Sequence, residues 1–123
     1  MLACGGGGEE MNTLINDLIF KIFNNEILMR GDDSAVLDFS KISENFNELA
    51  FSTDSFVISP REFPGGDIGK LAACGTINDL AMVGASAIYL SCALIIEEGF
   101  SFSELKKILE SMKKTADEAN VKI

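Results

Sequence analysis

The fold is decided by residues 64–85, PGGDIGKLAACGTINDLAMVGA. This stretch has the apolar content of a buried helix, yet it contains three charged side chains and an amide: Asp67, Lys70, Asp79 and Asn78. A buried carboxylate is costly unless it is paired, hydrogen-bonded or bound to a metal. A glycine inside a helix costs about 1 kcal/mol relative to alanine, so the glycines here indicate close approach by a backbone or a ligand. We therefore predict a helix over residues 67–84 that forms part of a site.

The composition indicates one globular domain. A chain of 123 residues is long enough for one hydrophobic core and too short for two, and a hydrophobic content of 47% argues against disorder. The net charge of −9 speaks against a general nucleic-acid-binding protein, because such a protein needs a basic surface to neutralise phosphates. The sequence contains neither an apolar run long enough to span a bilayer nor the pattern of a signal peptide.

The inventory of side chains also argues against some chemistry. The chain has no histidine, the commonest general base and zinc ligand, which speaks against zinc hydrolases and Ser-His-Asp enzymes. Its three cysteines form no CxxC pair, which favours a reduced, cytoplasmic protein. We expect Cys74 and Cys92 to be small buried apolar side chains.

Hydrophobic periodicity predicts an α+β fold. An apolar helical stripe runs from Met11 to Phe23, and Ser101 with Glu104 forms a capping box at the start of another helix. Strands are predicted over four segments: 34–39, 49–59, 87–96 and, just beginning, 121–123. This order favours a mixed β-sheet with helices on one face. So few strands bury too little area alone, and we expect the sheet to pair with that of a second copy.

Acidic residues stand at three places where elements meet loops. Asp33 follows Asp32 before a predicted strand, Asp54 lies within another, and Asp79 follows Asn78 in the helix. Carboxylates from separate elements are the hard oxygen ligands that Mg²⁺ needs, and Mg²⁺ bridges phosphate oxygens in phosphoryl transfer. Each acidic position also has an ordinary interpretation, as a solvated turn, an exposed strand face or a hydrogen-bond partner of a neighbouring loop.

Two further groups are candidates for phosphate contacts. The first is a run of glycines: Gly5, Gly6, Gly7 and Gly8. Glycine permits the backbone conformations of an anion-binding nest, although this run lacks the GK[ST] of a P-loop and is also typical of a mobile chain end. The second is Lys70, which suits either a phosphate contact or a solvated position near a helix start.

Three motifs give the chain a family resemblance. They are Gly-Asp-Asp-x-Ala-Val at 31–36, Thr-Asp at 53–54 and Asn-Asp-Leu-Ala-Met-x-Gly-Ala at 78–85. Together they resemble the ATP-binding N-terminal domain of the aminoimidazole ribonucleotide synthetase superfamily. Within that superfamily, three longer segments resemble the HypE family of hydrogenase maturation proteins: 52–60, 63–76 and 95–100.

The resemblance implies an activity and partners. HypE-like proteins are homodimers whose N-terminal domains pair their sheets into a barrel, with ATP bound near the dimer interface. They use ATP to dehydrate a carboxamide, carried on their own C-terminal cysteine, to a thiocyanate that becomes the cyanide ligand of [NiFe] hydrogenase. HypF supplies the carbamoyl group, and the HypC–HypD complex receives the product. Residues 1–123 then correspond to a single N-terminal ATP-binding domain without the C-terminal domain. We expect this N-terminal domain to be inactive alone.

The same resemblance implies the residues of a Mg-ATP site. The metal ligands are Asp33, Asp54 and Asp79, and the nucleotide-binding residues are Gly5, Gly6, Gly7, Gly8, Asp67, Lys70 and Asn78. The family's glycine-rich start usually carries a histidine where this chain has Cys4. No catalytic residue is assigned.

Two other functions stay open. A thiamine monophosphate kinase-like domain of the same superfamily shares the Gly-Asp-Asp-x-Ala-Val motif, although residues 64–70 weigh against it. A non-catalytic dimerisation or docking module is the second alternative, and it would dimerise without binding ATP.

Overall fold

The computed structural model describes residues 8–38, 40 and 48–123. Its elements are, in chain order, α1 (Glu9–Thr13), a π-helical stretch (Leu14–Ile19), α2 (Phe20–Phe23), a 3₁₀ turn (Leu28–Arg30), β1 (Glu62–Phe63), β2 (Gly66–Asp67), α3 (Ile68–Met82) and α4 (Phe102–Glu118). The first three elements run on continuously and are called the N-terminal helix below. No helix in these residues has both the length and the apolar character needed to cross a membrane.

The N-terminal helix buries the apolar stripe predicted from the sequence. Its buried residues are Leu14, Leu18 and Phe23. The helix ends at Asn24, where a positive φ of 21° turns the chain out of the helix. The side-chain amide of Asn25 then donates a 2.6 Å hydrogen bond to the carbonyl oxygen of Ile123. This bond ties the end of the N-terminal helix to the last residue of the chain.

The start of α4 confirms one half of the predicted capping box, the N-cap at Ser101. The hydroxyl oxygen of Ser101 accepts from the backbone N–H of Glu104 at 3.4 Å. The Glu104 carboxylate accepts a 2.8 Å hydrogen bond from Nε of Arg61, which links α4 to the chain before β1. The buried residues of α4 are Leu105, Leu109, Met112 and Ala116. The first three of them cluster with Ala73 of α3 and with the buried stripe of the N-terminal helix, so the core lies among these three helices.

Close approaches explain two of the three glycines within the predicted helix. A Cβ on Gly69 would lie only 2.1 Å from the carbonyl oxygen of Ile108, so the backbone of α4 occupies that space. A Cβ on Gly75 would lie 2.7 Å from Cζ of Phe56, so an aromatic ring covers this position. Gly84 has a φ of 76° and follows the end of the helix. The prediction of α3 and of close approach at its glycines is therefore confirmed at Gly69 and Gly75.

The mixed β-sheet predicted from the sequence does not form within residues 8–38, 40 and 48–123. The strands described there are β1 and β2, which form a short antiparallel hairpin. The predicted strands at 34–39 (whose residue 39 is outside the described residues) and 49–59 lack hydrogen-bonded ladders, and segment 87–96 forms only one parallel bridge, from Tyr89 to Lys122. A strand must satisfy its backbone groups through a neighbouring strand, and this part of the chain supplies no such neighbour. The fold is thus helices with a small antiparallel sheet.

The same lack of covering structure makes the prediction of buried cysteines wrong. Both Cys74 and Cys92 are exposed free thiols. Cys74 lies on an outward row of α3 with Lys70 and Asn78, since residues four apart share a helix face. Cys92 lies in segment 87–96, where Leu90 and Ile96 pack against the core but Cys92 is exposed. The uncovered segment 49–59 and segment 87–96 also expose large apolar side chains: Leu49, Phe51, Val57, Ile88, Leu94 and Ile95.

Replacing Gly69 tests the contact between α3 and α4. Gly69→Ala forces a methyl group against a backbone carbonyl that no side-chain rotation can move, so we expect a loss of about 1–3 kcal/mol in the free energy of unfolding. Gly75→Ala is the matched control, because the Phe56 ring can swing aside and alanine improves helix propensity by about 1 kcal/mol. Urea denaturation of both variants measures the difference. An equal loss in the two variants would contradict the assigned packing.

Candidate functional site

Two of the predicted acidic residues lie side by side. Asp54 precedes the β-hairpin in the uncovered segment 49–59, and Asp79 lies in the last turn of α3. Their carboxyl groups are within hydrogen-bonding distance of each other, and both residues are exposed. We call Asp54 and Asp79 the carboxylate pair.

The contact between Phe56 and Gly75 explains why these two residues meet. The alternating exposure of residues 55–59 is typical of extended chain, in which residues 54 and 56 share a face. Two residues of extended chain cover about 6.6 Å. The four residues from Gly75 to Asp79 rise about 6.0 Å along the same side of a helix. With the Phe56 ring over Gly75, an antiparallel course of the segment along α3 therefore brings Asp54 to Asp79.

The electrostatics of the carboxylate pair suit a cation. Desolvation raises the pKa of the Asp54 carboxyl, and the negative charge of Asp79 and a hydrogen bond with it raise that pKa further. Among the described ion pairs, no lysine or arginine neutralises either carboxylate. A bound divalent cation would relieve the repulsion between them, because carboxylate oxygens are the ligands that Mg²⁺ prefers.

The other two residues predicted near the metal lie differently. Asn78 is exposed next to Asp79, but on the outward row of α3. Asp33 is exposed in the loop that follows the 3₁₀ turn. Within the described residues, no three His, Cys, Asp or Glu side chains are grouped closely enough to hold a metal ion. The structure thus brings together two of the three predicted metal ligands and does not bring Asp33 to them.

Asp67 and Lys70 lie at the opposite end of α3. Asp67 is the N-cap, and its Oδ1 accepts from the backbone N–H of Lys70 at 2.9 Å. The Lys70 ammonium donates a 2.8 Å hydrogen bond to the carbonyl oxygen of Gly65. These bonds fasten the β-hairpin to the helix. The helix separates Asp67 from Asp79 by about 18 Å along its axis, so these two residues lie apart from the carboxylate pair.

The predicted glycine-rich phosphate loop is largely beyond the described structure. Gly5, Gly6 and Gly7 lie outside the described residues. Gly8 is the N-cap of α1 and has a φ of 97°, which glycine adopts readily.

A family model decides what kind of domain this is. Residues 31–123 match the model of the AIR synthase related protein, N-terminal domain. The chain belongs to this family. The match covers the loop with Asp33, the carboxylate pair, and helices α3 and α4.

Named relatives of this AIR synthase related domain are hydrogenase maturation proteins. The chain is 49% identical over 122 residues to carbamoyl dehydratase HypE of Escherichia coli K12, a match that covers 99% of this chain and 36% of that protein. It is 42% identical over 125 residues to a putative hydrogenase expression/formation protein of Methanocaldococcus jannaschii, covering 97% of this chain and 36% of the relative. The chain thus spans about a third of the length of these relatives.

Solved structures agree with these relatives. The hydrogenase maturation protein HypE in complex with ATP superposes with a TM-score of 0.90 at 46% identity, over 100% of this chain and 35% of that one. Escherichia coli HypE superposes with a TM-score of 0.86 at 49% identity, over 92% of this chain and 35% of that one. These likenesses confirm the predicted resemblance to HypE.

The sequence of this AIR synthase related domain indicated Asp54 and Asp79 as candidates, but it did not indicate Phe56. An aromatic residue in an apolar segment gives no direct sign of a role at a site. The available signal was its spacing, since Phe56 is two residues from Asp54 and Gly75 is four residues from Asp79. This spacing is informative only once it is known that the segment with Asp54 and Phe56 lies along α3, which the sequence does not show.

Removing one charge of the carboxylate pair tests its coupling. Asp79→Asn removes the neighbouring charge, so the pKa of the Asp54 carboxyl is expected to fall toward its ordinary value of 3.8. Carbon-13 NMR of the carboxyl group during a pH titration measures this shift. Asp67→Asn is the control, because asparagine also caps a helix and Asp67 is remote from Asp54. An unchanged Asp54 pKa in Asp79→Asn would contradict the pairing.

Proposed function

We propose that this chain is the N-terminal nucleotide-binding and dimerisation domain of a [NiFe]-hydrogenase maturation protein. In this proposal the whole protein uses ATP and Mg²⁺ to dehydrate a cysteine-bound carboxamide to a thiocyanate, the precursor of the cyanide ligand. Its partners are HypF, as the source of the carbamoyl group, and the HypC–HypD complex, as the recipient. Residues 1–123 span about a third of the length of the HypE relatives, and in this proposal they do not carry out the dehydration by themselves.

One observation carries the nucleotide-binding part of the proposal. The whole chain superposes on a HypE structure in complex with ATP with a TM-score of 0.90 at 46% identity. The carboxylate pair also supports nucleotide binding, because it offers ligands for the cation that accompanies ATP. Asp54 and Asp79 are exposed, close together and without a basic partner among the described ion pairs.

The residues fit a Mg²⁺-bound nucleotide in a specific way. Asp54 and Asp79 would hold Mg²⁺, with Asp33 as a further ligand from its exposed loop and Asn78 assisting from α3. A bound Mg²⁺ neutralises charge on the phosphate oxygens. The chain's own contribution is to hold two carboxylate ligands from separate elements close together before the cation binds. This arrangement reduces the conformational entropy that the protein loses on binding. We propose that the backbone of Gly5 to Gly8 covers the phosphates. Asp67 and Lys70, at the other end of α3, are proposed as further nucleotide contacts.

Nucleotide titration tests the role of the carboxylate pair. In the full-length protein, Asp54→Asn and Asp79→Asn should each weaken Mg-ATP binding about tenfold or more, because each removes a charged ligand of the cation. Isothermal titration calorimetry measures the dissociation constant, and thermal unfolding checks that each variant is folded. Asp117→Asn is the control, since this exposed aspartate of α4 forms an ion pair with Lys113 of the same helix. An unchanged affinity for Mg-ATP in both Asp54→Asn and Asp79→Asn would contradict the proposal that these residues bind the metal ion.

The exposed apolar segments support the dimerisation part of the proposal. Val57 and Ile95 have relative exposures of 99% and 104%, and Phe51 is 85% exposed. Large apolar side chains exposed to solvent favour an interaction with a partner, and strands without neighbours offer free backbone groups to a partner strand. A second copy of the domain supplies both an apolar face and a strand edge of the same kind. We therefore propose that the predicted sheet is completed across a homodimer.

A charge on the exposed face tests dimerisation. Val57→Asp places a carboxylate where the proposed interface is apolar, so the full-length protein should become monomeric in sedimentation velocity at micromolar concentration. Val57 is fully exposed within one chain, so the folding of the monomer should be retained. Lys106→Asp, on the exposed face of α4, is the control and should leave the dimer intact. Dimers of equal stability in both variants would contradict this interface.

A further inference from the structure

We propose that Phe56 is the positioning residue of the carboxylate pair, and that its contact with Gly75 sets the register of the segment before β1 along α3. The first observation is the closeness of that contact. A Cβ on Gly75 would lie 2.7 Å from Cζ and 2.9 Å from Cε1 of the Phe56 ring, so the ring occupies the space that any larger residue at Gly75 would need.

The second observation concerns the backbone hydrogen bonds of the segment. Arg61 anchors its C-terminal end, because the Arg61 carbonyl oxygen accepts a 2.9 Å hydrogen bond from the backbone N–H of Ile68 at the start of α3. Between residues 48 and 59, the backbone makes no hydrogen bond to any other described residue. The close packing of the Phe56 ring on Gly75, two residues from Asp54, therefore ties the segment to the helix without help from backbone hydrogen bonds.

The third observation is the match between the two spacings. Along the extended segment, Asp54 lies two residues before Phe56; along α3, Asp79 lies four residues after Gly75. The two intervals are each about 6 Å, so one fixed contact determines the other. A shift of the segment by one residue would turn the Asp54 side chain to the opposite face. In this proposal Phe56 therefore acts on the site through Asp54, as a positioning residue.

The inference rests on the proposed function only for its effect on nucleotide binding, and the placement of Asp54 can be measured separately. For that measurement, Asp54→Cys and Asp79→Cys are introduced into full-length protein in which every other cysteine is replaced by serine, namely Cys4, Cys74, Cys92 and those beyond residue 123, the proposed C-terminal cysteine included. The short bifunctional reagent dibromobimane becomes fluorescent when it links two neighbouring thiols. We expect rapid linkage with Phe56 present and linkage slowed about tenfold in Phe56→Ala, because the segment is released from α3. Phe102→Ala, a half-exposed phenylalanine on α4, is the matched control and should leave the rate unchanged.

Nucleotide binding is measured in the protein that keeps both aspartates. Phe56→Ala should weaken Mg-ATP binding about tenfold, as is usual when a residue that orients a metal ligand is removed. Binding of ATP in the presence of EDTA should be unchanged, because Phe56 acts only through the metal ligand. A purely structural role for Phe56 would weaken both equally.

A last experiment asks whether a smaller side chain at position 56 compensates for a larger one at position 75. Gly75→Ala should slow thiol linkage by pushing the ring away, and Phe56→Leu should slow it less than Phe56→Ala. The double variant Gly75→Ala/Phe56→Leu should recover linkage relative to Gly75→Ala, because the smaller side chain leaves room for the methyl group. An unchanged linkage rate in folded Phe56→Ala, or in Phe56→Leu if the alanine variant does not fold, would overturn the proposal. Slowed linkage with unchanged Mg-ATP affinity would uphold the positioning role and overturn the nucleotide role of the pair.

Discussion

The rest of the structure depends on the close backbone approach of α3 and α4 at Gly69. The space that a side chain would fill there is occupied by the carbonyl oxygen of Ile108. This approach lets a small residue such as Ala73 be buried beside Leu105 and Leu109, which also meet the N-terminal helix. A larger residue at position 69 would separate the helices and open the core, since interiors are packed as densely as organic crystals.

Helix α3 packs against α4 with one face and carries the site residue Asp79 on another. Gly69 and Gly75 lie about 120° apart around a helix with 3.6 residues per turn. One glycine receives the backbone of α4, and the other receives the ring of Phe56. The second contact brings Asp54 to Asp79 on a helix that the core has already fixed. A rigid helix is a precise support for a metal ligand, whereas the segment that carries Asp54 needs its own anchor.

The helices could be predicted from the sequence because a helix closes its hydrogen bonds within a few residues. The stripe of the N-terminal helix and the Ser101 N-cap depend on such local rules, whereas the glycines of α3 indicated a close approach without identifying Ile108 or Phe56 as the partner. The mixed sheet could not be verified in the same way, because strands need partners that the described residues do not provide. The wrong prediction for Cys92 has the same origin. At the site, the sequence indicated Asp54 and Asp79 by residue type, but their meeting depends on the Phe56 contact, which no local pattern specifies.

The central claim is that Asp54 and Asp79 together bind the cation that accompanies ATP. Electron–nuclear double resonance of full-length protein, with Mn²⁺ in place of Mg²⁺, ATP bound and aspartate labelled with carbon-13 at the carboxyl group, measures this most directly. The account predicts a hyperfine coupling between Mn²⁺ and labelled carboxyl carbons that is reduced in Asp54→Asn and reduced further in Asp54→Asn/Asp79→Asn. A coupling of full strength in the double variant, with ATP and Mn²⁺ still bound, would contradict it.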